Sequence, residues 1–426
     1  MFKRLTLACT LTAMLAGCPL PDDGGGDDDG GGGGGGGVWT ALTLPTDADG
    51  LDHTQDNVYG MFCSAPDRCV IGTDRTGNLG AVFSATTDEV TGVVLTAAQV
   101  NDAAGTDNYL GFTGFDQVNG RLAVRMTHSL AFVSASGDGT NASDWTIDGI
   151  GLDMKGLNSQ VKFAEANGTW LYFRNGVVWS ATQPPADNTQ WTGMWSPGRV
   201  PPFPENYDEL KADDDSICNA DPLASTTVPQ SSFATATSDL GVIMYPAGGL
   251  NQGGASAGAI DAPGVCVSTD GGATFRQVSF PADEIVDTDV GPRGITCTDN
   301  EHCWAFKAYQ FGEDNPYLFY TTNASSGMSL TWSRGQLPAI ELDGVTFRHV
   351  FFAPDNQHGW LVGDFDSRKP LLFATSDGGA TWEDLSADVQ VAMGDGELYT
   401  GFAVDADHIW IGGEKGALLA SSSGGR

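Results

Sequence analysis

From Val350 to Ser386 the chain alternates short apolar runs with polar turns: VFFA, a turn, GWLVG, a loop, LLFATS, a turn and TWEDL. Runs of this length, rich in β-branched and aromatic residues and bounded by Gly, Asp and Ser, read as four short strands. The same cadence recurs along the chain. First strands are expected near Met61, Gly114, Val161, Phe233, Ile295, Val350 and Gly401, and second strands at CVIG, RLAVRM, TWLYF, LGVIMY, CWAFK, GWLVG and IWIGG. Outer-strand aromatics fall at Trp145, Trp191, Phe275, Trp332 and Trp382. The widest gap, Val161 to Phe233, holds a Pro/Asp-rich insertion at about 197–230. The last unit has three strands and no fourth, while Val38-Trp39-Thr40-Ala41-Leu42 reads as an orphan outer strand. A period of this kind means a stacked or ring architecture. The expected fold is all-β, one seven-bladed β-propeller over 38–426, closed by the N-terminal strand completing the C-terminal blade. Six or eight blades are the alternatives, because the early units are degenerate.

Two turns share an octapeptide: Ser268-Thr-Asp270-Gly-Gly272-Ala-Thr274-Phe275 and Thr375-Ser-Asp377-Gly-Gly379-Ala-Thr381-Trp382. The aspartate accepts backbone amides inside the turn, glycine supplies positive φ, and the aromatic ring anchors the next strand. The pattern resembles the Asp box of the sialidase-like (BNR-repeat) superfamily. Over 345–386 the cadence is most similar to the propellers of Ycf48-type photosystem II assembly factors. The resemblance implies a propeller; it does not by itself imply glycan or photosystem chemistry.

The first 17 residues, MFKRLTLACTLTAMLAG, form a signal-peptide pattern of Lys3 and Arg4 followed by a short apolar run. They end at Leu15-Ala16-Gly17-Cys18, which resembles a bacterial lipobox and implies cleavage before Cys18 and its lipidation. Residues 18–37 then form a Gly/Asp-rich tether with no apolar group beyond Leu20 and its prolines to fold around. The bilayer is thus one expected partner, reached through Cys18, and the location is the cell envelope, outer membrane or cell surface rather than inner membrane.

An exported chain explains its cysteines. Cys63 and Cys69, and Cys297 and Cys303, are each separated by five residues across a turn, a spacing unlike zinc knuckles. They are read as hairpin disulfides, with Cys218 and Cys266 as a third pair. No metal or cofactor is expected.

Acidic residues number 54 against 20 basic ones, a net charge of −34, which argues against nucleic-acid binding. The scarce positive charge recurs in the segments after second strands and before first strands. Arg75, Arg174, Lys307, Arg348, Arg368 and Lys415, with Asp364 and Glu414, are therefore the candidate ligand-binding residues, suited to an anionic or polyhydroxyl ligand. Asp270, Gly272, Thr274, Phe275, Asp377, Gly379, Thr381 and Trp382 are expected to be structural. The six histidines look scattered, no tyrosine–glutamate pair stands out, and no nucleophile elbow, zinc-protease motif or phosphate loop occurs. No catalytic residue is assigned. The expected function is a monomeric, non-catalytic binding or scaffold module for a protein or glycan. A sialidase-like glycoside hydrolase and a Ycf48-like envelope assembly factor are the alternatives.

Overall fold

The structure is a computed structural model describing residues 38–46, 50–74, 80–104, 111–118, 121–126, 129–153, 163–166, 169–174, 177–181, 192–195, 235–237, 239, 241–247, 264–271, 276–281, 292, 294–307, 316–339, 344–365 and 368–426. Within the compact unit Val38–Arg426, the described residues form seven antiparallel four-stranded sheets. In chain order their first strands are Asn57–Ala65, Phe112–Val118, Phe163–Ala166, Thr235–Ala236, Gly294–Cys297, Thr346–Phe352 and Leu398–Ala403. Each expected first-strand position lies in or within two residues of one of these.

Six sheets are consecutive meanders. The seventh takes its edge from elsewhere: Thr40 pairs with Ala420 and Ala41 with Leu419, so the strand order is Thr40–Ala41, Leu418–Ser421, Ile409–Gly413, Leu398–Ala403. The register matches that of the sixth sheet, where Glu383 and Asp384 pair with Ala374 and Phe373. The turn is matched too. In the sixth sheet Gly379 donates to Thr375 Oγ1 at 3.1 Å; in the seventh Gly425 donates to Ser421 Oγ at 3.0 Å. Trp39 stands where Trp382 stands, its ring 2.6 Å from a Cβ built on Gly425. Ser421–Gly425 and Trp39 thus rebuild one Asp-box-like turn from two distant stretches of chain.

Neighbouring sheets stack face to face and share core layers, as amphipathic sheets must. Phe306, Leu318 and Trp304 of the fifth sheet pack with Phe347, Phe373 and Trp382 of the sixth. Ile71 and Phe83 of the first sheet pack with Trp410 and Leu418 of the seventh. Gly401 has no side chain because a Cβ there would collide with the Phe351 ring of the adjacent first strand.

The Asp-box chemistry is broader than the two octapeptides. Asp377 accepts Thr381 N (2.9 Å), Thr381 Oγ1 (2.6 Å) and Thr375 Oγ1 (2.8 Å). Asn323 does the same work in the fifth sheet, accepting Thr321 Oγ1 (2.8 Å) and Thr331 N (3.0 Å). Asp138 accepts Thr140 N and Oγ1 in the second sheet, where Trp145 Nε1 donates to Gly139 O just as Trp382 Nε1 donates to Gly379 O. Asp270 accepts Ser268 Oγ at 2.7 Å; Gly272, Thr274 and Phe275 lie outside the described residues.

Three of the six histidines are not scattered. His302, His358 and His408 each close a first-to-second-strand turn in which an aspartate three residues earlier accepts the imidazole Nδ1: Asp299, Asp355 and Asp405. Each lies two residues before the tryptophans Trp304, Trp360 and Trp410. These turns also join neighbours, since Asn356 donates to Asp299 and Asn300 to Asp239. In the fifth sheet the Cys297–Cys303 disulfide closes the same turn, and Cys63–Cys69 clips the first sheet. Cys266 is disulfide-bonded; Cys218 lies outside the described residues, as do Cys18, the tether and the 197–230 insertion.

Candidate functional site

The first strands of the sixth, seventh and first sheets share a defect near their start. Register shifts fall between Phe347 and His349, between Leu398 and Thr400, and between Val58 and Gly60. The second sheet has one between Phe112 and Gly114. A bulge leaves one residue outside the ladder and re-aims its side chain. The residues so released are Arg348, Tyr399 and Tyr59 in three successive first strands that touch one another.

These three side chains form a stack across the sheets. Tyr59 and Tyr399 lie with ring centroids 4.7 Å apart at an interplanar angle of 19°, and Arg348 Cζ sits 5.6 Å from the Tyr399 centroid. Arg348 Nε donates to Asp364 Oδ1 at 2.9 Å and its Nη2 to Glu397 Oε2 at 3.0 Å. Burial disfavours the Arg348 charge, but Asp364 and Glu397 outweigh it and raise its pKa further. Asn57 Nδ2 donates to the Tyr59 hydroxyl at 3.3 Å, and its Oδ1 accepts Lys415 N at 3.1 Å.

Two tight turns complete the rim. Arg368, after the second strand of the sixth sheet, and Lys415, after that of the seventh, both have φ of 56°. Both charges turn to Glu414, at 3.5 Å from Arg368 Nη1 and 3.1 Å from Lys415 Nζ. Glu414 N donates to Glu397 O, Gly396 N to Arg368 O and Gly416 N to Asp56 O, so three sheets are laced together here.

Five of the eight residues singled out from sequence converge: Arg348, Arg368, Lys415, Asp364 and Glu414. Lys307 and Asp364 differ from expectation in lying within strands, buried to 2% and 7% exposure, because the second strands run further than their apolar cores suggested. Arg75 and the side chain of Arg174 lie outside the described residues. The expected surplus of positive charge is instead matched: each converging cation has a carboxylate within 4.0 Å. Tyr59, Tyr399, Glu397 and Asn57 were missed. A signal existed, since Tyr59, Arg348 and Tyr399 each stand three residues before a phenylalanine (Phe62, Phe351, Phe402).

Structure also supplies the tyrosine–carboxylate pair that the sequence hid, Tyr399 with Glu397. Burial, then the neighbouring Tyr59 and Glu397, push the Tyr399 phenol well above its ordinary range. Burial raises Tyr59 as well. Neither phenol is held as phenolate, so attack by Tyr399 would require Glu397 to take its proton. Among the described residues no group of three or more His, Cys, Asp or Glu is placed to hold a metal ion. What the arrangement offers is a rigid polar and aromatic surface for non-covalent contact.

Residues 324–426 match the family model for the photosynthesis system II assembly factor YCF48. Two curated relatives are photosystem II assembly lipoproteins Ycf48. The protein from Synechocystis sp. is 37% identical over 70 residues, which is 16% of this chain and 19% of that protein. The one from Picosynechococcus sp. is 48% identical over 44 residues, 10% of this chain and 12% of that protein. The chain thus matches about a fifth or less of these relatives' length. Among solved structures, YCF48 from Cyanidioschyzon merolae superposes with a TM-score of 0.52 at 14% identity, covering 90% of this chain and 98% of that one. The GH74 xyloglucanase from Xanthomonas campestris gives 0.53 at 14% identity, covering 91% and 53%. At such identity the two structures share the fold alone, a β-propeller. Over its C-terminal quarter the chain carries a BNR repeat of Ycf48 type.

Proposed function

We propose that this chain is a lipid-anchored propeller that binds a protein partner non-catalytically, as an assembly or scaffold factor. The observation that carries this is the Arg348–Tyr399–Tyr59 stack: three sheets each release one side chain through a bulge, and the three meet. The stack is braced by paired carboxylates, which suits recognition. The relatives' description as assembly lipoproteins supports both the anchor and the assembly role. On this reading residues 1–17 are removed, Cys18 carries lipid, and residues 18–37 hold the domain away from an outer membrane or cell surface. Seven blades form a monomeric ring, in which the pairing of Thr40–Ala41 with Leu418–Ser421 is the closure.

The test is a photo-crosslinking residue at Tyr59, with another at Asp88 on the turn between third and fourth strands. Adducts to a protein from Tyr59 but not from Asp88 are expected. Adducts only from Asp88, or glycoside turnover by the purified domain that is lost on Glu397→Gln, would overturn the reading.

A further inference from the structure

We infer that the Arg348–Tyr399–Tyr59 face takes a basic segment of its partner, one bearing arginine or lysine side chains in an extended chain. This rests on the protein-binding role given to the face above and reverses the anionic ligand expected from the positions of its arginines.

Pairing is the first argument. Arg348, Arg368 and Lys415 already have carboxylate partners, so an anion would compete with a bound Asp or Glu at each. The balance of charge is the second. Asp364, Glu397 and Glu414 face these three cations, and Asp74, paired with Asn57 in the ladder, adds a carboxylate near Tyr59 at the start of the first sheet; Asp56 is buried against His53. The buried Oε2 of Glu414 has no hydrogen-bond partner among the described residues. Sequence reinforces the sign near these strands: the segments leading into the first strands of the first, fifth, sixth and seventh sheets carry four carboxylates in 45–56, four in 281–293, two in 338–345 and two in 394–397 against Arg293 alone, whereas 154–162, before the third sheet, carries Lys155 and Lys162. A concentration of one sign steers and selects ligands of the other.

The third argument is that the site already displays the recognition. The Arg348 guanidinium lies over the Tyr399 ring with two carboxylates bonded to its edge, the geometry in which an aromatic face and a carboxylate together hold a cation. Tyr399 passes the stack to Tyr59, where it ends among the described residues. Asp74 is close enough to Tyr59 to raise its phenol pKa. A partner guanidinium over Tyr59 would repeat the Arg348 arrangement one sheet further round.

The experiment uses the full chain carrying Cys18→Ser, with fluorescence anisotropy of a labelled Gly-Ser-Arg repeat peptide and its Gly-Ser-Glu counterpart. The arginine peptide is expected to bind, and to weaken as ionic strength rises through about 0.1 M, where the Debye length is about 10 Å. Tyr59→Ala should weaken it by about tenfold. Asp88→Asn, which removes one negative charge at the opposite end of the strands, should leave it within about twofold. Arg368→Gln removes an exposed cation, cannot disturb the core, and should tighten binding. Binding of the arginine peptide that is indifferent to Tyr59→Ala, or loosened by Arg368→Gln, overturns the proposal. Preference for the glutamate peptide with loss on Tyr59→Ala overturns the charge assignment while leaving the protein-binding face intact. Failure of both peptides, with an oligosaccharide bound at Tyr59, removes both.

Discussion

Trp39 is the sharpest test of how the seventh sheet is completed. Its ring is 8% exposed and packs with Trp360, Leu372 and Leu419, as Trp382 at 7% packs with Phe347 and Phe373. Removing a buried tryptophan side chain costs about 3–5 kcal/mol. Unfolding entropy of about 2.1 cal/mol/K per residue gives about 0.8 kcal/mol/K over Val38–Arg426, so about 4 kcal/mol lowers Tm by about 5 °C. Trp39→Ala and Trp382→Ala should therefore both fall by several degrees in calorimetry. Their phenylalanine variants should separate. Trp382 Nε1 donates to Gly379 O at 3.0 Å, whereas Trp39 Nε1 has no partner among the described residues. Trp382→Phe should cost about 1 kcal/mol more than Trp39→Phe. Trp39→Ala should also bare the edge of Leu418–Ser421 and promote association seen by light scattering. A Trp39→Ala protein that melts within about 1 °C of its parent and stays monomeric would refute the composite turn.

Four further outcomes are expected. Asp377→Ala removes three accepted hydrogen bonds and should cost about 2–3 kcal/mol in urea unfolding without altering peptide binding. Arg348→Ala leaves the 7%-exposed Asp364 without its guanidinium and should destabilise by about 3 kcal/mol, much of it recovered when Asp364→Leu is added. For Asp299, Asp355 and Asp405, burial is outweighed by backbone amides and the paired histidine, so their folded pKa values are depressed. Their contribution is therefore present above the unfolded pKa of about 3.9 and lost as pH falls through the folded values; urea midpoints should drop on that acid limb, and less steeply in the triple Asp→Asn variant. Replacing Cys63 and Cys69 by serine should cost about 2 kcal/mol, read as a lower Tm with binding retained.

Much of the architecture was legible because strand repeats are local. An apolar run such as GWLVG between turns forms a strand wherever it lies, and Asp377-Gly378-Gly379 specifies its turn through its own backbone. Asn323 and Asp138 escaped notice because other residues separate turn from tryptophan, although each accepts one backbone amide and one threonine hydroxyl. The candidate site was legible only in part. Arg348, Arg368, Lys415, Asp364 and Glu414 could be named from their places in the repeat, but the pairing of the two arginines could not, because the partners of Arg348 and Arg368 come from distant positions in the chain.

The sequence by itself determined the strand cadence, the hairpin cysteines, the lipobox-like start and an excess of acidic groups. These depend on nearest neighbours or on counting. Tertiary structure alone decided that Trp39 completes a turn begun by Ser421, that Tyr59 lies on Tyr399, and that the arginines are already paired. Bulges at Tyr59, Tyr399 and Arg348 arise from register between strands, and register becomes physical only when sheets stack and one residue must leave the ladder. The charge at the site is likewise a property of which sheets meet, not of which residues the chain contains.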